Sequence, residues 1–448
     1  MKKYFHLAFL ILSISGFGQQ KWSLQKSIDY AHQHNLQLKQ SRLDIEQAKI
    51  NKTAAQAAFL PNINANASAS WNSGLTQNFT TGILENQTTF GGNGSVSTNL
   101  NLFNGLKNHY NYKKSLLDIL SAQYQYADLK TNIDMQIASA YIQILLNKEN
   151  YESAKAQLEN SIKQKERTLE MIKTGVLPKG DLADAEAQIT NDHLQVVQAE
   201  NAYELAKLNL AQLLELNDFK NFSIDEQLSG LKIDTGLLKS SPEELFEKAR
   251  ETNLKLKQTQ TQAKIAHLQI QAAWANYLPS LSAFANVNTR YSDRARIGFG
   301  GNTLPADPFW DQVKNNQGTT YGLSLRIPVL NGLNVRSQVN RARLTYDKIK
   351  INVLNTEKKL RSDIYKMQKD LQAAFQSMKA AEANLKAQRK AYDYAVEKFK
   401  VGLLNIFDLN NLKTKYQRAE AQFINAKYQY FLKSKILEFT INPVIKTK

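Results

Sequence analysis

Two carboxylates stand where a charged side chain could act. Asp181 and Asp408 lie in the stretches TGVLPKGDLADAEAQ (174 to 188) and VGLLNIFDLNNLKTK (401 to 415), each six residues after a glycine that interrupts a long helical pattern. The glycines, Gly175 and Gly402, are 227 residues apart, as are the two acids. An acid at a helix start is stabilised by the macrodipole, typically by ~0.3 to 1 kcal/mol, and that role fits Asp181 and Asp408 equally.

Catalysis has no comparable candidates. Of the six histidines, His32 and His34 sit two apart on a helix and point to different faces, while His109, His193 and His267 stand singly. No HExxH, P-loop, nucleophile elbow or dinucleotide glycine fingerprint occurs. The absence of cysteine excludes disulfides, thiol catalysis, Cys-rich zinc sites and lipid attachment at an N-terminal cysteine. The expectation is a protein that is not an enzyme and uses no cofactor or metal.

Sparse punctuation, with 8 prolines and 19 glycines in 448 residues, favours a few very long elements. Residues 1 to 18 read as a secretory signal peptide: Lys2 and Lys3, an apolar run from Leu7 to Leu12, then Gly16 and Gly18. Its removal lowers the formal net charge from +17 to +15. The lysines are scattered along helical patterns without clustered aromatics, which reads as solvated helix faces and not as a nucleic-acid surface. No later segment approaches ~18 consecutive apolar residues, so any membrane insertion must use strands.

The elements around the two acids come in duplicate. NLQLKQ (35 to 40) returns as NLKLKQ (253 to 258), FLPNI (59 to 63) as YLPSL (277 to 281), and LFNGL (102 to 106) as VLNGL (329 to 333). The offset is 218 for the first two and 227 for the third, so nine extra residues lie between 281 and 329. Repeat 1 covers 19–230, with strands at about 61–71 and 93–103, a long helix at 105–173 and a return helix at 181–216. Repeat 2 covers 231–448, with strands at about 279–291 and 319–330, a long helix at 332–400 and a return helix at 406–440. Each opens with a short helix, the second capped by Ser241, Pro242 and Glu244, followed by helices at 36 to 58 and 254 to 276.

In the strands Ile63, Ala65, Ala67, Ala69 and Trp71 alternate with asparagines and serines, and Leu281, Ala283, Ala285, Val287 and Tyr291 form a similar face that Phe284 breaks. Four strands of about 9 to 11 residues suit an oblique bilayer crossing, although alternation alone fits a half-exposed soluble sheet equally well. The long helices would each span about 100 Å. Seven-residue stripes run along them, Ile137, Ile144, Tyr151, Leu158 and Ile172 interrupted by Lys165, and Ile364, Leu371, Met378, Leu385, Tyr392 and Phe399. The return helices carry Leu182, Ile189, Val196, Tyr203 and Leu210, matched at Leu409, Tyr416, Phe423, Tyr430 and Leu437. Strict sevens imply left-handed supercoiling, and Ala185, Ala199, Ala206, Ala419 and Ala426, three residues on, allow close approach. Four strands cannot close a barrel, so the chain must oligomerise or keep its sheet out of lipid.

The duplicated helix-strand-strand-helix-helix order, the FLP and YLP strand entries, the LFNGL and VLNGL joins and VGLLNIFDLNN resemble the TolC-like outer-membrane efflux proteins over nearly the whole mature chain. The resemblance implies a mainly α fold with membrane β structure: a homotrimer whose 12-stranded outer-membrane β-barrel continues as a periplasmic α-helical barrel. It implies a conduit that exports substrates delivered by an inner-membrane transporter through a periplasmic adaptor. It further implies a periplasmic gate at Asp408, where three carboxylates would form a ring, with Asn411 in place of the family's second acid, and Asp181 as a further gate residue or a helix cap. Adaptor contact would fall on the tips Thr174, Gly175, Val176, Leu177 and Val401, Gly402, Leu403, Leu404, whose leucines are expected to be exposed. Phe399 and Leu404 replace a tyrosine and an arginine that bridge neighbouring helices in closed members, so closure must use other contacts. The structural rival is a secreted periplasmic coiled-coil scaffold or adaptor without a pore.

Overall fold

The structure, a computed structural model, describes residues 21–77, 83–217, 222–225, 236–294, 296–297 and 303–443. The signal peptide at 1 to 18, the repeat boundary at 230/231 and parts of both strand-connecting loops lie outside the described residues. In chain order the elements are helices α1 (Leu24–His34) and α2 (Leu36–Ala57), strands β1 (Asn62–Gln77) and β2 (Leu84–Asn104), and helices α3 (Lys107–Lys173) and α4 (Gly180–Leu213). There follow helices α5 (Gly236–Lys239), α6 (Pro242–Thr252) and α7 (Leu254–Trp274), strand β3 (Ser280–Ser292), and the short strands β4 (Arg296–Ile297) and β5 (Thr303–Leu304). Helix α8 (Phe309–Asn315), strand β6 (Gly318–Arg326) and helices α9 (Asn334–Lys400) and α10 (Ile406–Ile441) complete the chain. Two compact units result, a helical one (up to Leu43, Tyr124–Lys257 and from Asn355) and a sheet-bearing one (Asp44–Gln123 and Gln258–Leu354).

Each repeated motif has a local structural cause. Asn35 and Asn253, the first residues of NLQLKQ and NLKLKQ, each end one helix and cap the next. Their backbone N–H groups donate to Ala31 and Ala249, and their side-chain oxygens accept from Leu38 N at 3.2 Å and Leu256 N at 2.8 Å. In the NGL joins, Gly105 and Leu106 have φ +67° and +66°, and Gly332 and Leu333 have +58° and +62°. Two successive left-handed residues swing the chain from strand to helix, which is free for glycine and costs about 1–2 kcal/mol for leucine. The long helices therefore begin two residues after the glycine, at Lys107 and Asn334, and each has 67 residues.

The helical unit buries its heptad stripes. Ile137, Ile144, Leu210, Ile364 and Leu437 are fully buried, and Ala185, Ala206 and Ala419 are buried beside them. Lys165, which interrupts the first stripe, reaches Glu186 of α4 at 2.8 Å. His32 Nε2 meets Asp134 at 2.6 Å and His34 stacks on Tyr30, so both are used in packing. Ser241 and Glu244 form a reciprocal capping box at the start of α6. Ser241→Ala is expected to lower the stability of this unit by about 1 kcal/mol, read as a shift of its urea midpoint.

The sheet has the order β1-β2-β3-β6, all neighbours antiparallel, with β1 and β6 at the edges. Its register aligns Ala65, Val96 and Val287 on one face, and Ile63, Thr98, Ala285 and Tyr321 likewise. Much of this apolar face is bare: Ile63, Trp71, Tyr321, Leu323 and Leu325 are all more than half exposed. The opposite face carries Asn64, Asn66, Ser68, Ser95, Ser97, Asn286 and Asn288. Phe284, which breaks the alternation, points to that polar side and pairs directly with Gly322, and its ring takes the space a side chain there would need: a Cβ on Gly322 would stand 3.2 Å from Phe284 Cζ.

Three strand lengths differ from expectation. β1 has 16 residues and β2 has 21, because the ladder continues from Trp71↔Phe90 to Gln77↔Leu84 through residues expected to be loop. β6 stops at Arg326, two residues before Pro328, which has no N–H to extend the ladder, so Val329 falls outside it. The nine additional residues of the second repeat accompany a miniature hairpin, β4 with β5, and the helix α8. Among the described residues no helix is long and apolar enough to cross a membrane.

Candidate functional site

Both glycine breaks, in the helical unit, are Schellman turns. Gly175 N donates to Ile172 O at 3.1 Å and Val176 N to Met171 O at 2.9 Å. Gly402 N donates to Phe399 O at 3.0 Å and Leu403 N to Lys398 O at 2.9 Å. The left-handed position this motif requires is filled by Gly175 (φ +76°) and Gly402 (φ +72°). The two turns lie side by side: a Cβ on Gly402 would stand 3.4 Å from Val176 Cγ1.

An apolar cluster underlies these tips. Ala395, Phe399, Ile406 and Leu409 are buried there, with Leu177, Leu404, Met171 and Tyr392 packed against them. The expectation of exposed leucines holds for Leu403 and is corrected for Leu177 and Leu404. These two, each the second residue after its glycine, fold back and pack partly onto the cluster. What the tips expose is Val176, Val401, Leu403 and, one turn on, Phe407.

Asp408 does not cap α10. Asn405 is the N-cap and its side chain accepts from Asp408 N at 2.8 Å, leaving the Asp408 carboxylate exposed in the first turn. Asn411 follows three residues later, exposed on the same helix face. Asp181 lies in the first turn of α4, which has no side-chain cap, and is half-buried. Burial, and secondarily the nearby Asp184 carboxylate, push its pKa above the usual aspartate range. Asp181 and Asp408 are thus equivalent in sequence and unlike in setting, one partly desolvated and one in water.

Sequence reasoning missed a buried polar cluster on three helices of this unit. Lys413 of α10 reaches Asp192 Oδ2 of α4 at 2.7 Å and donates to Ser161 Oγ of α3, which also meets Asp192. Gln188 and Gln417 complete the carboxylate's shell at 2.9 Å and 3.3 Å. The Lys413 and Asp192 side chains are only 7% and 5% exposed. Burial holds the ammonium below its ordinary pKa, against the opposing pull of Asp192. A signal existed: Asp192 stands where the series Ala185, Ala199, Ala206 calls for a small residue, and Lys413 follows the buried Leu409 by one helical turn. Neither has a counterpart 227 residues away, where the chain has Ala419 and Glu186, so the pair occurs once per chain.

The sequence pattern of outer membrane efflux proteins matches residues 27–215 and 245–440, the greater part of both repeats. The chain belongs to the outer membrane efflux protein family. It is 24% identical to the outer membrane protein TolC of Escherichia coli K12 over 437 residues, 94% of this chain and 83% of that one. It is 24% identical to TolC of Vibrio cholerae over 316 residues, 69% and 68% of the two chains. The fold superposes on the outer membrane protein VceC of Vibrio cholerae with a TM-score of 0.73 at 16% identity, covering 94% of this chain and 95% of that one. This efflux protein is an outer-membrane channel component, and its helix tips are apolar at both positions singled out above: Phe399 is 1% exposed in an apolar cluster, and Leu404 packs onto the same cluster.

Proposed function

We propose that three copies of the chain close a 12-stranded barrel in the outer membrane and continue it as a helical tunnel to the periplasm. The observation that carries this reading is the open four-stranded sheet, with edges at β1 and β6 and one largely exposed apolar face. Unpaired edges in lipid cost several kcal/mol per backbone group, and edge-to-edge pairing of β6 with the next copy's β1 removes them. The apolar face then meets lipid and the asparagine- and serine-rich face lines the lumen. Native mass of the mature protein in mild detergent tests this. Three chains support it, and a monomer soluble without detergent overturns it in favour of a secreted scaffold.

In this assembly the paired tips form the periplasmic entrance. The exposed Val176, Val401 and Leu403, with Gly175 and Gly402 holding the turns, offer an apolar patch suited to the hairpin of a periplasmic adaptor, which links the tunnel to an inner-membrane transporter. Asp408 has the features of an entrance charge, a carboxylate in water and outside the cap, and a trimer would repeat it three times around its axis. Such a ring attracts cations and resists anions, and with Asn411 one turn on in place of an acid it is a single ring. Asp181, partly desolvated beside Asp184, is the secondary member of the entrance. Asp408→Ala is expected to raise single-channel conductance or weaken divalent-cation block several-fold in planar bilayers. Unchanged values in both would return Asp408 to helix-dipole stabilisation alone.

With Phe399 and Leu404 apolar, polar closure falls to Lys413, Asp192 and Ser161, which tie α10 to both α3 and α4 through buried groups. This cluster holds the two helical hairpins together behind the tips.

A further inference from the structure

Helix α8 lies on the apolar face of the sheet, in the sheet-bearing unit. Thr289 Oγ1 donates to Val313 O at 2.7 Å, and the buried Gln312 side chain exchanges hydrogen bonds with the Ser292 backbone at 2.9 Å and 3.0 Å. Thr289 shares its face with Val287 and Tyr291, and the Tyr291 ring packs on Phe309 with centroids 5.1 Å apart. These contacts hold the helix against the outward side of the strands and away from the asparagine-lined side.

Between α8 and the strands runs an open trough of about 760 Å³. Its floor is made of small or aliphatic residues, Ala65, Ala67, Gly94, Val96 and Val287, and the helix contributes Trp310 and Val313. Among the described residues lining it, Lys314 alone carries a charge. Next to the trough a row of rings, Trp71, Phe90, Tyr291, Phe309 and Trp310, spans two strand pairs and the helix, successive centroids lying 4.8 to 6.0 Å apart. Aromatic rows of this kind mark the level of lipid headgroups on outer-membrane barrels.

We propose that the trough is a binding site for an anionic membrane lipid, with one acyl chain along the Ala65–Gly94–Val287 floor and the phosphate at Lys314. An apolar floor with a single cation matches an amphiphile bearing a negative head. The trough continues the face that the trimeric reading turns toward lipid, and the inference rests on that reading.

The full-length mature trimer in nanodiscs tests the site, using phosphatidylglycerol or phosphatidylcholine with brominated acyl chains at equal fraction. Quenching of Trp310 and of Trp71 is obtained by difference from Trp310→Phe and Trp71→Phe. Trp310 is expected to be quenched several-fold more by the anionic lipid, and Lys314→Gln to abolish that preference. Gly94→Leu, whose Cβ would meet only Thr289 Cγ2 at an ordinary 3.5 Å, fills the floor and abolishes it too. Trp71 quenching stays the same in both variants. Equal quenching of Trp310 by the two lipids in the unsubstituted protein overturns the site. Trp71 quenched by neither lipid overturns the membrane reading itself. Doubling of the trimer mass with Trp310 shielded from both lipids assigns the trough to a second copy and also overturns the proposal.

Discussion

Lys413→Ala is expected to lower the stability of the helical unit by about 3–5 kcal/mol, because it strands the buried Asp192 carboxylate without its cation. Asp192→Ala should cost a similar amount by leaving the ammonium unpaired. The double variant Lys413→Met/Asp192→Leu should recover most of the loss, since a buried ion pair replaced by apolar groups of similar volume is often neutral. Amide hydrogen exchange along α4 and α10 measures the effect directly, and planar-bilayer conductance reports its consequence: the single variants leak and the double variant leaks less. Stability unchanged by either single substitution would mean that Gln188, Gln417 and Ser161 suffice to solvate the remaining charge, and the cluster would lose its role in closure.

The second large effect is an asymmetry between two glycines in the same motif. Gly105 of LFNGL and Gly332 of VLNGL have similar left-handed φ angles. A Cβ on Gly332 meets nothing within 4 Å, so Gly332→Ala should cost only the conformational penalty, about 1–2 kcal/mol. A Cβ on Gly105 would collide with Ala275 O and stand 2.9 Å from Leu278 Cβ, contacts that force the backbone of the strand entry aside. Gly105→Ala is therefore expected to cost about 2–5 kcal/mol by adding overpacking to strain. Urea midpoints of the two variants, and the amount of each recovered as assembled protein from outer membranes, test the prediction. Equal losses at the two positions would show that the strand entry yields to a methyl group.

The duplication, the helix lengths and the heptad stripes were legible in the sequence because they are local or periodic. A glycine needed at φ > 0, an asparagine that serves two helices and an apolar residue every seventh position each act on their own neighbours. The strand ends were less legible. Thr88, Thr89 and Gln87 look like loop residues, yet they pair with Asn72, Ser73 and Gly74, because an antiparallel ladder continues as long as the facing strand can supply partners. The partial burial of Leu177 and Leu404 was not legible for a related reason, since a turn's sequence does not state over which helix its side chains fold.

By itself the sequence determined the order of the elements, the two glycine turns, the alternating strands and the family to which the chain belongs. Only the tertiary structure decided which charged residues pair in the interior, since Asp192 and Lys413 lie 221 positions apart and their places in the apolar pattern do not show that they meet until α4 and α10 pack together. It likewise decided that Asp181 is partly desolvated while Asp408 stays in water, and that Gly105 is crowded while Gly332 is free. Burial and close approach depend on what a second segment brings to a residue, and two nearly identical repeats receive different neighbours.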